Sequence, residues 1–105
     1  MRKILLHLVI LLVSLTNTIN SQCHYLMYMY DSYGDGWNSA YLEVNMNGGF
    51  VGNFDCSQSF TLDSVYSTTG AAMEFIWHSG NWDSEISFTI MDPIGDTLIN
   101  VISAS

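Results

Sequence analysis

After residue 22 the side-chain pattern has a period of two rather than 3.6, and that period points the segment to β-strands. Residues 24–30 read His-Tyr-Leu-Met-Tyr-Met-Tyr, rich in the aromatics that suit a pleated surface. Over residues 40–47, Ala40, Leu42, Val44 and Met46 share one side, with Tyr41, Glu43 and Asn45 on the other. Asn47-Gly48-Gly49 predicts a turn, and residues 50–54 the return strand. Residues 59–62 read as a short strand. Ala71, Met73, Phe75 and Trp77 fall together, opposite Glu74 and Ile76, before His78-Ser79-Gly80-Asn81 turns the chain. Ile86, Phe88 and Ile90 then alternate with Ser87 and Thr89. Residues 92–96, with the only proline, form a β-turn, and residues 98–102 form the last strand. No segment after residue 22 carries a helical stripe. Short alternating strands split by Gly, Asn and Asp turns predict an all-β antiparallel sandwich.

The first residues point to export. Arg2 and Lys3 precede an apolar run from Ile4 to Leu15, and a polar stretch ends at Ser21. That is the order of a cleavable signal peptide. The apolar run is about a dozen residues, whereas a stable membrane span needs roughly 20. The expected division is a signal helix over residues 1–21 and a secreted domain over residues 22–105. A domain of that size has a thin core. Cys23 and Cys56, the only cysteines, are expected to pair in an oxidising compartment and to contribute roughly 3–4 kcal/mol. No second cysteine pair or histidine cluster supports a zinc site.

Charge narrows the partners. The chain has a formal net charge of −8, and its only basic residues, Arg2 and Lys3, lie in the leader. Removing them leaves ten carboxylates and no Lys or Arg, a net charge of −8 − 2 = −10. Nucleic acid and anionic membrane surfaces are excluded as electrostatic partners. Carboxylates that lie close together must be held by backbone N–H groups, share a proton, or bind a cation.

One loop is chemically dense: Asp31-Ser32-Tyr33-Gly34-Asp35-Gly36-Trp37-Asn38. Its glycines permit a sharp bend. Asp31, Asp35 and Asn38 offer oxygens of the kind Ca²⁺ collects. The spacing is not that of an EF-hand, so further ligands must come from elsewhere. The second acidic turn, Trp82-Asp83-Ser84-Glu85, is the obvious donor through Glu85, with Asp83 a lesser candidate. The metal-free alternative is that the Asp side chains hydrogen-bond their own turn.

The loop, followed by alternating Ala40-Tyr41-Leu42-Glu43-Val44, resembles a β-domain of secreted and cell-surface proteins that carries D-S-Y/W-G-D-G-W-N-G-A. The later Gly80-Asn81-Trp82-Asp83-Ser84-Glu85-Ile86-Ser87-Phe88 resembles that domain's G-x-Y/W-x-S-E-I-S-W segment, and Asp92-x-x-Gly95 also fits. Ser39 departs from the usual glycine. The resemblance spans residues 23–102 and implies a jelly-roll-like or CUB-like sandwich in an extracellular protein, with no known reaction. CUB-type sandwiches often hold Ca²⁺ between an Asp-rich loop and a Glu on another loop, which supports the calcium expectation by analogy.

The expected function is therefore a non-catalytic, calcium-stabilised interaction or structural module for an extracellular protein or glycan. Asp31, Asp35, Asn38 and Glu85 are the expected metal ligands. Two alternatives stand beside it. Tyr33 and Trp82, in turns, could stack on sugar rings as a lectin-like site. The β-edges, without lysine gatekeepers, could support self-association into an extracellular polymer. Trp37 and Trp77 are expected to pack structurally, and neither His24 nor His78 is part of a recognisable catalytic arrangement.

Overall fold

The computed structural model describes residues 23–104, so the expected signal peptide lies outside the described residues. These residues form seven strands: β1 (His24–Asp31), β2 (Tyr41–Met46), β3 (Gly49–Phe54), β4 (Phe60–Tyr66), β5 (Met73–His78), β6 (Ile86–Met91) and β7 (Thr97–Val101). A three-residue 3₁₀ turn, Asp83–Glu85, precedes β6. The strands make two antiparallel sheets, ordered β4-β1-β6-β7 and β3-β2-β5. The expected antiparallel sandwich is thus present at the level of two all-β sheets around a shared core. Among the described residues no helix is long and apolar enough to cross a membrane.

The period of two sets the core. Met27 and Met29 of β1 and Ile86, Phe88 and Ile90 of β6 point inward from one sheet, and Leu42 and Val44 of β2 from the other. Trp37 closes the end of this core at 1% exposure, against Trp77 and Phe88 at ring-centroid distances of 5.4 and 5.8 Å. Its Nε1–H donates to the Tyr30 carbonyl at 2.9 Å, so the one polar atom of a buried ring is satisfied. Trp77 is partly buried, packed on the same cluster.

The Asn47-Gly48 turn forms as expected, with φ of +52° and +79° at its two central residues, the left-handed pair that matches the twist of a hairpin. β4 is longer than the alternation indicated. It runs on through Asp63 and Ser64, because pairing with β1 keeps Thr61, Asp63 and Val65 on the core-facing side. His78 is the last residue of β5 rather than part of the turn.

The cysteine expectation is corrected. Cys23 and Cys56 are not joined. The buried Cys56 Sγ lies 3.5 Å from the Met29 carbonyl oxygen and donates to the Gln58 carbonyl at 3.1 Å. Cys23 stands just before β1, six residues upstream of Met29. An extended strand rises about 3.3 Å per residue, so the two sites are about 20 Å apart. A disulfide requires Cα atoms within about 7 Å. Cys23 Sγ instead lies 3.9 Å from Thr69 Oγ1.

Candidate functional site

The site is assembled by strand register. Antiparallel pairing of β1 with β6 sets Asp31 opposite Ile86, so the residues just beyond them, Ser32 and Glu85, meet. The Ser32 N–H donates to the Glu85 carbonyl at 3.0 Å. In the second sheet, β2 pairs with β5 and sets Tyr41 opposite His78, which brings the loop after β5 alongside residues 38–40. Gly80 sits so close there that a Cβ would lie 2.5 Å from the Ala40 nitrogen and 2.7 Å from the Asn38 carbonyl oxygen. Two acidic turns from distant parts of the chain therefore share one end of the sandwich.

Asp31 is buried, 3% exposed, which is costly for a carboxylate unless it is hydrogen-bonded. Its Oδ2 accepts from the Gly34 N–H at 3.0 Å and the Gly36 N–H at 2.8 Å. The loop curls around this carboxylate because Gly34 and Gly36 take φ of +94° and +93°, outside the range comfortable for other residues. Gly36 is doubly constrained, since a Cβ there would lie 3.0 Å from the carbonyl oxygens of Cys56 and Ser57. Asp31 thus caps its own loop, the role expected of an aspartate in a metal-free turn.

The cluster extends beyond that role. Asp31, Asp35 and Glu85 each offer a carboxylate oxygen, and the three oxygens lie within 4.8 Å of one another. Asp31 is buried, Glu85 half-buried and Asp35 exposed. Asn38 turns its Nδ2 toward the group, donating to Asp35 Oδ1 at 3.2 Å and to the Gly36 carbonyl at 3.1 Å. It braces Asp35 here; to act as a ligand, its amide would have to rotate. Asp83 accepts the Gly80 N–H at 2.8 Å and ties down the 79–85 turn.

Tyr33 and Trp82 stand at the rim, 76% and 57% exposed. With Asp35 and Glu85 they line a cavity of about 280 Å³. The two aromatic residues and two of the expected ligands therefore face a common space.

A second polar network escaped the sequence reading. On the outer face of the three-stranded sheet, His78 Nε2 lies 2.9 Å from Glu43 Oε1. Asn45 Nδ2 bridges Glu43 Oε2 at 2.9 Å and Glu74 Oε1 at 3.0 Å. The His78 ring stacks on Tyr41 at 4.4 Å. Hydrogen bonds from Asn45, then from His78, hold the Glu43 carboxyl below the ordinary glutamate value. The alternation of Tyr41, Glu43 and Asn45 was visible, but the pairing that adds Glu74 and His78 was not.

No protein-family model, curated protein or solved structure matches the chain.

Proposed function

We propose that this chain is a secreted, non-catalytic β-sandwich module whose acidic loop end binds a divalent hard cation, with Ca²⁺ the best fit. One observation carries the reading: the oxygens of Asp31, Asp35 and Glu85 all fall within 4.8 Å of one another, in a segment with no Lys or Arg to neutralise them. At an effective dielectric of about 20, two charges at that separation repel by about 3 kcal/mol, before water around exposed Asp35 screens them. A cation bound at about 2.4 Å from each oxygen spans distances up to about 4.8 Å and reverses the sign of that term.

Asp31, Asp35 and Glu85 would hold the ion, with water or a rotated Asn38 amide filling other positions. Ca²⁺ would supply charge neutralisation and would tie the 31–38 loop to the 83–85 turn. The loop is already capped by Asp31, so the ion adds stability to a formed loop rather than creating it. The basic–apolar–polar order of residues 1–21 supports export, and the quoted loop motifs support a jelly-roll-like or CUB-like relationship.

The test is thermal unfolding of the secreted product with EDTA and with Ca²⁺. A ligand at 100 Kd raises stability by about 2.7 kcal/mol, several degrees in Tm. The gain should vanish in the double variant Asp35→Asn, Glu85→Gln. An unchanged Tm at millimolar calcium would refute the site.

The cavity favours a second reading, a glycan subsite in which Tyr33 and Trp82 stack on a sugar ring. Glycan binding lost in Trp82→Ala, with the fold retained, would support it; glycan binding unaffected by that change would refute it.

A further inference from the structure

We infer that the outward face of the four-stranded sheet is a docking surface for a second copy of this chain. Residues directly opposite on antiparallel strands share a face. Leu26, Tyr28 and Tyr30 of β1 therefore stand beside Ser64, Leu62 and Phe60 of β4, on the side away from the core. Tyr30 and Phe60 are in ring contact at 5.1 Å, and Tyr30, Phe60, Leu62 and Tyr66 are each between 42% and 55% exposed. From β6 the same side receives Ser87, Thr89 and Met91, opposite Tyr30, Tyr28 and Leu26.

Among the described residues, no carboxylate within these four strands stands on this face, although the chain carries ten. The two acids within these four strands are turned the other way: Asp63 pairs with buried Met27, and Asp31 with buried Ile86. The outer face of the three-stranded sheet is the opposite case, with Glu43 and Glu74 in its polar network. A cationic partner would be drawn to the acidic face and the loop end. A second copy meets no strand-borne like charge when two such faces pair about a two-fold axis, which makes the patch its own complement.

Area sets the strength. Four strands about 4.8 Å apart and about seven residues long span on the order of 450 Å². Two such faces bury on the order of 900 Å², short of the roughly 1,200–2,000 Å² of stable complexes. Such a footprint fits a weak, reversible dimer that needs no calcium.

Sedimentation equilibrium of the secreted product in EDTA tests this. Between about 1 μM and 1 mM the mass should climb from monomer toward dimer, more steeply at high salt, which screens the residual repulsion. Leu62→Asp places a charge in the middle of the face and should weaken the dimer at least about tenfold. Leu62→Ser, milder for folding, should shift it in the same direction. Asn53→Asp adds the same charge beside Glu43 on the other sheet and should leave the dimer nearly unchanged. A monomer at about 1 mM in high salt, a dimer seen only with calcium, or equal weakening by Leu62→Asp and Asn53→Asp would each overturn the proposal.

Discussion

Truncating Asp31 should remove a large part of the stability of this domain, and the size of the loss separates two roles of one carboxylate. Asp31 Oδ2 holds the N–H groups of Gly34 and Gly36 at 3.0 and 2.8 Å, in a site 3% exposed. A hydrogen bond to a charged group contributes about 1.5–3 kcal/mol. Asp31→Ala loses two and leaves two donors without acceptors, a cost of about 3–5 kcal/mol. A domain of this length has about 4–12 kcal/mol in total. Asp31→Asn keeps an acceptor oxygen but not the charge, so each bond falls to about 0.5–1.5 kcal/mol and the cost to about 1–3 kcal/mol. Urea unfolding in EDTA, followed by tryptophan fluorescence to which buried Trp37 contributes, reads both variants. With a slope of about 1 kcal/mol/M, alanine lowers the midpoint by about 3–5 M and asparagine by about 1–3 M. On the proposed cation site, added Ca²⁺ should then widen the gap between wild type and Asp31→Asn, since the variant would lose a ligand as well as a cap. An Asp31→Ala cost below about 1 kcal/mol in EDTA would refute the capping role and the loop geometry on which the cation site is built.

Gly36→Ala forces a side chain onto φ +93° within 3.0 Å of two carbonyl oxygens, and should cost about 1–3 kcal/mol in the same assay. Gly80→Ala meets backbone atoms at 2.5 and 2.7 Å. It should separate the two acidic turns, read as loss of any calcium-dependent Tm gain together with a lower Tm. Peptide mapping of unreduced protein should find no Cys23–Cys56 crosslink; finding one would require β1 to abandon its register with β4 and β6. The Glu43 network predicts a pH dependence with a definite sign. Because the folded carboxyl is held below its ordinary value, its contribution is fully present above the unfolded value of about 4.3 and is lost as pH falls through the lowered folded value. Glu43→Gln should flatten that acid limb of the Tm profile.

How much of this was legible in the sequence depends on whether the information is local. Asn47-Gly48 specifies its hairpin within two residues, and the structure has the turn where the pair stands. Trp37 was readable as structural because a large apolar ring follows a glycine bend and precedes a strand. The continuation of β4 past residue 62 is illegible for an opposite reason. Asp63 and Ser64 look like a turn in isolation, and only the neighbouring β1 shows that they continue a ladder. The cysteines failed on distance. Counting two thiols gives one possible pair, but the extended run from Cys23 to Met29 carries them about 20 Å apart.

The acidic loop end combines both kinds of information. Asp31 and Asp35 are close in the chain, and their glycines announce the bend, so half of the cluster is written in eight consecutive residues. Glu85 stands in a distant turn that only its acidity recommends, and its arrival beside Asp31 follows from one register, Asp31 opposite Ile86. A shift of that register by two residues, the smallest that keeps Met27, Met29, Phe88 and Ile90 in the core, would move Glu85 by about 7 Å along the strand. No ion bound at about 2.4 Å could bridge such a gap. The core thus fixes the site: the same alternation that buries the methionines of β1 against the isoleucines of β6 decides whether three carboxylates meet.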